Sequence, residues 1–238
     1  MTQPKIIKAK ETVTDSLKVL LYGDSGVGKT TAAATAPKPI YLSAEAGLLS
    51  VADKDLDVIQ ISAWGELQSA FEWLKNGKHD YKTVVVDSLT EVQKKHQDYL
   101  LSMNGQQRLS QQAWGDNIEA MRKACRAFRD LPMNVILIAL ASEVTGEDGG
   151  TPIRRPALQG KSLPNEVMGF VDLVGYMVAK EVKDDAGETV IKRAIRFQPT
   201  ENISAKDRSG KLNIWEAPDF MTIQKKVFGT LKAVKEVK

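Results

Sequence analysis

Residues 17–31 read LKVLLYGDSGVGKTT, an apolar run followed by a glycine-rich segment, a lysine and two threonines. The apolar part, residues 17–23, is typical of a buried strand, and the residues after Gly28 predict a helix that ends at Pro37. Residues 23–30, which join the two, fit the pattern G-x-x-x-x-G-K-[ST] at every fixed position. Because a strand precedes this segment and a helix follows it, the pattern predicts a phosphate-binding loop.

The spacing of this loop suits a nucleoside triphosphate bound with Mg²⁺. Glycines allow successive backbone N–H groups to surround the β-phosphate, and the following helix adds a favourable dipole. Lys29 would bridge the β- and γ-phosphate oxygens, and the Thr30 hydroxyl would take one position around Mg²⁺. With ATP and Mg²⁺ as the predicted cofactors, the residues assigned to nucleotide binding are Gly23, Asp24, Ser25, Gly26, Val27, Gly28, Lys29, Thr30 and Thr31.

Two further apolar strands end in carboxylates. In YKTVVVDS, residues 81–88, Asp87 would hold Mg²⁺ through water opposite Thr30, with a helix cap as the alternative role. The next residue is Ser88, at a position where AAA+ ATPases and many helicases place a catalytic glutamate, so the residue that activates water must lie elsewhere. The segment IYLSAEAGL offers Glu45 as a candidate general base, with a solvated surface glutamate as the alternative.

Strands and helices alternate along the first 141 residues, with strands predicted at 17–23, 39–45, 57–63, 81–88 and 134–141. The segments VDLVGYMVAKEV and TVIKRAIRFQPT then predict an antiparallel hairpin around the turn KDDAGE. This order predicts an α/β fold, a mainly parallel sheet flanked by helices with an antiparallel hairpin at one edge. We expect a polar arm at 1–16 and a single core at 17–238 that ends in a helix.

Composition limits where the protein works. A single cysteine, Cys125, excludes an internal disulfide and is typical of a reducing cytoplasm. No apolar stretch approaches the roughly 18 residues that span a bilayer, so no membrane partner is expected. The net charge of +3 is too small to indicate nucleic-acid binding by itself, so any such surface must be local.

The order of these motifs resembles the RecA-like recombinase core. GDSGVGKTT resembles its phosphate loop, YLSAEAGL the strand that ends in its catalytic glutamate, and VVVDSLTEV its metal-binding strand. LSQQAWGDNIEAMRKACRAF followed by NVILIALA resembles the helix and strand that precede its second DNA-binding loop. Within that superfamily, the chain resembles most the small core-only phage ATPases that act in single-strand annealing or recombination. The resemblance covers residues 17–210.

The resemblance implies two loops that bind single-stranded DNA along the axis of a filament or ring. The second loop matches residues 142–165, whose cationic side chains are Arg154, Arg155 and Lys161. The first would be residues 102–113, with Arg108. Cations on such loops suit contacts to phosphate, whereas an ordinary mobile surface loop is the alternative in each case.

The resemblance also implies that neighbouring subunits complete the ATP site. AKDR, residues 205–208, resembles a late pattern of the core, so Lys206 and then Arg208 are candidates for stabilising a neighbour's γ-phosphate. A solvated basic edge is the alternative. RecA senses the γ-phosphate with a glutamine at the end of its fifth strand, where the nearest polar residue here is the shorter Ser142. Residues 6–9 loosely resemble a polymerisation element of RecA-family arms.

Together these features predict a Mg²⁺-dependent, DNA-stimulated ATPase that binds single-stranded DNA as a homo-oligomer and promotes annealing or recombination. It would act in the cytoplasm, the host cytoplasm if a phage encodes it, with a single-strand-binding protein as a further candidate partner. One alternative is a nucleotide-gated adaptor or loader for a replication protein. The other is a small-molecule P-loop kinase, in which residues 142–161 would be a lid.

Overall fold

The computed structural model describes residues 6–8, 14–45, 48–105, 107–145 and 149–235, with side chains through Gly229. Within these ranges the strands are β1 (Lys18–Gly23), β2 (Pro39–Ser43), β3 (Asp57–Gln60), β4 (Thr83–Asp87), β5 (Asn134–Val144), β6 (Ile153–Pro156), β7 (Leu173–Lys183), β8 (Thr189–Arg196), β9 (Lys206–Asp207) and β10 (Trp215–Glu216). The α-helices are α1 (Lys29–Ala33), α2 (Trp64–Asn76), α3 (Leu89–Asn104), α4 (Gln111–Arg129), α5 (Leu163–Phe170) and α6 (Phe220–Lys235).

The strands form one mixed sheet in the order β10-β8-β7-β1-β5-β4-β2-β3. All neighbours from β7 to β3 are parallel, whereas β8 and β10 add antiparallel strands at one edge. Gly23 lies beside Leu140, and Asp87 lies between Ser43 and Ile138. The carboxyl ends of β1, β2 and β4 therefore meet at one edge of the sheet. The predicted fold class is confirmed.

Each face of the sheet has its own hydrophobic core. Alternation along β1 directs Leu20 and Tyr22 toward the core formed with α2, α3, α4 and α5. It directs Val19 and Leu21 toward the core on the opposite face, formed with α1 and α6. None of the helices in the described part of the chain is long and apolar enough to cross a membrane.

The antiparallel edge approaches the phosphate loop closely. At Gly23, a Cβ would lie 2.5 Å from the carbonyl oxygen of Met177 on β7. At Gly175, a Cβ would lie 2.5 Å from Cγ2 of Ile195 and 3.0 Å from Cε1 of Phe197, both fully buried. Glycine at these two positions allows the β7–β8 hairpin to pack against β1 and to lie next to the loop that follows it.

Two segments predicted as loops contain regular structure. Helix α3 continues to Asn104, inside the loop predicted at 102–113, because Gly105 adopts a left-handed conformation that ends the helix there. Helix α4 begins at Gln111, with the hydroxyl of Ser110 accepting from the Ala113 N–H at 3.2 Å. The loop predicted at 102–113 is therefore confined to the residues between these helices, and Gln106 within it lies outside the described residues.

The segment predicted as loop at 142–165 differs more strongly. Strand β5 continues to Val144, and its last four residues pair with the antiparallel strand β6. Helix α5 begins at Leu163, with Pro164 in its first turn. Strand β6 is hidden in the sequence because its four residues show no alternation of apolar side chains and it forms by pairing with β5 and with residues 202–204. Helix α5 is short, although Leu163, Val167 and Phe170 recur at helical spacing.

The predicted arm at 1–16 is described only at 6–8 and 14–16. Within it, Ile6 is 93% exposed and Ile7 is 50% exposed. Ala9, the last residue of the segment that resembles a polymerisation element, lies outside the described residues. The division into an arm and a core stays a prediction.

Candidate nucleotide-binding site

The predicted phosphate loop connects β1 to α1 in a conformation that needs its glycines. Gly26 has a φ of 78° and Gly28 a φ of 100°, and residues other than glycine rarely adopt this left-handed backbone conformation. Gly28 also provides the N-cap of α1, which begins at Lys29. The strand, loop and helix thus follow one another as the motif requires.

Lys29 is buried at the centre of this loop. Its Nζ donates to the carbonyl oxygens of Gly23 at 2.9 Å and Asp24 at 2.7 Å. Burial lowers the pKa of Lys29, while the negative charges of Asp87 and Glu45 oppose that shift. The ammonium group is therefore held by the loop backbone close to two carboxylates.

Asp87 and Thr30 bring two oxygen ligands together at the end of β4. The Thr30 Oγ1 donates to Asp87 Oδ2 at 2.6 Å, although 57 positions separate the two residues in the chain. Burial raises the pKa of Asp87, which the Thr30 hydrogen bond and Lys29 partly counteract. Mg²⁺ is usually held by one or two carboxylates together with substrate phosphates. This hydroxyl and carboxylate fit that coordination.

Glu45 lies beside Asp87 because β2 and β4 are neighbours in the sheet. The Ala44 N–H donates to the carbonyl oxygen of Asp87 at 2.7 Å, and the Ser88 Oγ donates to Glu45 Oε1 at 2.5 Å. Ser88 is also the N-cap of α3 and accepts from the Glu91 N–H. The structure therefore brings Lys29, Thr30, Asp87 and Glu45 together at one edge of the sheet.

Two residues that the sequence did not single out support this site. The Tyr41 hydroxyl on β2 donates to the carbonyl oxygen of Thr30 at 2.9 Å, which ties α1 to the sheet. Ser88 orients the Glu45 carboxylate in addition to capping α3. Both contacts depend on the order of strands in the sheet, so no local pattern could have revealed them.

The candidate DNA-binding residues of the second loop lie on and after β6. Arg154 forms an ion pair with Glu143 at 2.7 Å and donates to the Tyr176 hydroxyl at 2.7 Å. The Nε of Arg155 is buried without a hydrogen-bond partner among the described atoms. Lys161 is exposed just before α5. These cations therefore lie on a β-hairpin and its exit rather than on one long loop.

Ser142, the candidate γ-phosphate sensor, lies within β5 rather than at its end. Alternation places it on the face of Ile138, which packs against α1, and its hydroxyl donates to the carbonyl oxygen of Arg155 at 3.4 Å.

Arg108 is exposed between α3 and α4. The 16 residues of α3 span about 24 Å between the nucleotide site and the Arg108 loop.

The structure does not bring Lys206 and Arg208 to the phosphate loop of their own chain. Strand β9 pairs with Leu173 and Val174, in the first part of β7. The Lys206 Nζ donates to the carbonyl oxygens of Met168 at 2.9 Å and Val171 at 2.6 Å, and burial lowers its pKa. Arg208 bonds to Asp172 at 3.2 Å. A role in a neighbour's site stays a prediction.

Comparison with known proteins gives one family match. Residues 15–209 match the family described as an AAA domain, whereas no curated protein matches the chain. Among solved structures, the flagellar accessory protein FlaH from Methanocaldococcus jannaschii shares 9% identity over 76% of each chain, with a TM-score of 0.41. An ATPase from the type III secretion system of pathogenic bacteria shares 14% identity over 68% of this chain, with a TM-score of 0.45.

This chain spans about half, 51%, of that secretion ATPase. The family match, by contrast, covers most of the 238 residues here. It begins before β1, ends after β9 and includes every residue of the nucleotide site. The chain therefore belongs to this AAA-domain family, and it is a P-loop ATPase built on a mainly parallel α/β sheet.

Proposed function

We propose that the protein hydrolyses Mg²⁺·ATP and couples hydrolysis to the binding of single-stranded DNA by a homo-oligomer that promotes annealing or recombination. The observation that carries the hydrolytic part of this proposal is the convergence of Lys29, Thr30, Asp87 and Glu45 at one edge of the sheet. This set provides a phosphate-binding cation, oxygen ligands for a metal and a carboxylate able to accept a proton.

Lys29 and Thr30 prepare the phosphates. The Lys29 ammonium, which now donates to two loop carbonyls, would exchange them for β- and γ-phosphate oxygens. Thr30 and Asp87 would hold Mg²⁺, and the bound ion supplies charge that neutralises these oxygens.

Glu45 is the proposed general base. Its carboxylate is held by Ser88 and is near enough to Lys29 and Asp87 to influence the pKa of each. It would accept a proton from water as the water oxygen bonds to the γ-phosphorus and the bond to ADP breaks. With water as the acceptor, the products would be ADP and phosphate.

The first prediction concerns this base. Glu45→Gln keeps the side-chain size and the acceptor for Ser88, so we expect ATP binding to remain within about twofold while kcat falls roughly 10²- to 10⁴-fold. Glu91→Gln is the matched control, because Glu91 also lies next to Ser88 but pairs with Lys94. Single-turnover hydrolysis and equilibrium nucleotide binding measure the two effects. Full turnover by Glu45→Gln would remove the assignment.

DNA contact is proposed through cations on both candidate loops. Arg108 and Lys161 are exposed, and Arg154 is 44% exposed although it is paired with Glu143. Cations spread over two loops suit a phosphate backbone, because binding strength depends on how many phosphates are neutralised. Residues 142–161 hold no aromatic side chain, so strong stacking on bases is not expected from this segment.

The second prediction concerns this surface. Replacing Arg108 or Lys161 with Ala should weaken binding to a single-stranded oligonucleotide. It should also make the slope of log K against log salt concentration less negative, by roughly 0.7 for each phosphate that the variant no longer neutralises. Lys123→Ala is the control, since its side chain is 76% exposed on α4. Fluorescence anisotropy at several salt concentrations provides the slopes. Slopes equal to that of the control for both variants would contradict DNA contact by these loops.

Lys206 and Arg208 are proposed to act in the site of a neighbouring copy. Neither contacts the phosphate loop of its own chain, and the Arg208 side chain is 55% exposed. A cation supplied by a neighbour would stabilise charge on the γ-phosphate in the transition state. Hydrolysis would then depend on assembly.

Mixing two inactive variants tests this arrangement. Lys29→Ala and Lys206→Ala should each lack hydrolysis, but their mixture should recover about a quarter of the wild-type rate, since one interface in four carries both lysines. A mixture of Lys29→Ala with Glu45→Gln should recover none, because both residues belong to the same copy's site. Recovery in neither mixture, with both variants folded, would contradict the shared site.

A further inference from the structure

Arg193, on β8, lies against the last glycine of the phosphate loop. A Cβ at Gly28 would be 3.2 Å from both Cδ and Nε of Arg193. It would also be 3.3 Å from Cε of Met177 on the neighbouring strand β7. The start of the guanidinium group is therefore within van der Waals reach of the backbone that receives the phosphates.

The sheet directs Arg193 to this position. In the β7–β8 hairpin, Arg193 pairs with Ala179 and Ile195 pairs with Met177. Alternation places Arg193 on the same face as Ile195, which is buried in the core that includes α1. Because β7 is the direct neighbour of β1, this face of the hairpin lies over the loop between β1 and α1.

The guanidinium group of Arg193 is available for a ligand. The residue is exposed, and in the part of the chain that the structure describes it makes no hydrogen bond or ion pair. The other arginine of this strand is engaged: Arg196 donates to the carbonyl oxygen of Gln198 and stacks over the ring of Trp215. Arg193 thus presents N–H donors beside the phosphate cradle with no acceptor among the described residues.

We propose that Arg193 binds the α- and β-phosphates of the nucleotide held by the phosphate loop of the same chain. A guanidinium group matches the geometry of phosphate oxygens through paired N–H donors. Backbone N–H groups of such a loop cradle the α- and β-phosphates, so a cation next to Gly28 meets those phosphates rather than the γ-phosphate. The inference rests on the proposed binding of ATP.

Nucleotide affinity without DNA tests the inference in the full chain. Arg193→Gln should weaken binding of ADP and of a non-hydrolysable ATP analogue about equally, by roughly 10- to 100-fold. Lys192→Gln is the matched control, because it removes a neighbouring charge on the opposite face of the same strand. We expect it to change affinity by less than about twofold, and Arg193→Lys to fall between Arg193→Gln and the wild type.

Unchanged affinity in Arg193→Gln would overturn the inference, and so would a loss confined to the triphosphate. Thermal unfolding should be unaltered in both glutamine variants, because both side chains are exposed. If the wild type and Lys29→Ala both fail to bind either nucleotide, the proposed ATP binding itself is wrong. The two failures are therefore distinguishable.

Discussion

The hydrogen bond between Thr30 and Asp87 joins the two halves of the nucleotide site, and the arrangement of the sheet makes it possible. β5 lies between β1 and β4, so the strand that leads to Thr30 is not adjacent to the strand that ends in Asp87. They meet because α1 packs on the sheet face opposite α3 while its first turn, tied to β2 by the Tyr41 hydroxyl, reaches the end of β4. Alignment of the strand ends is thus the constraint on which the site depends.

The same alignment concentrates charge where water has limited access. Lys29 is 8% exposed and Asp87 is 5% exposed, with the Glu45 carboxylate close to both. Burial lowers the pKa of the amine and raises the pKa of the carboxylate, so each charged form is disfavoured in the free protein. A bound nucleotide would supply negative charge beside Lys29, and a metal ion would supply positive charge beside Asp87. Polar groups in this state are typical of sites that bind a charged ligand.

The parts of the molecule that could be predicted are those encoded by the pattern of residues that are close together in the sequence. The phosphate loop and the β7–β8 hairpin follow from a strand, a turn and the next element in sequence, and Asp87 follows from an apolar strand that ends in a carboxylate. Strand β6 and the contacts of Tyr41, Ser88 and Arg193 were not predictable in this way, because each depends on strands that are distant in the chain. The sequence likewise could not show that Arg154 forms an ion pair with Glu143, or that Lys206 donates to backbone carbonyls at the end of α5. Both contacts depend on the tertiary structure. A basic side chain in sequence does not show whether its charge is already paired.

The most direct measurement is ATP hydrolysis by the purified protein with Mg²⁺, with and without single-stranded DNA, beside Lys29→Ala. We expect DNA to increase the rate and the variant to have no activity in either condition, which would place hydrolysis and DNA binding in one assembly. Slow hydrolysis that is indifferent to DNA would contradict the coupling and favour a nucleotide-gated adaptor. Hydrolysis that persists in Lys29→Ala would contradict the site itself.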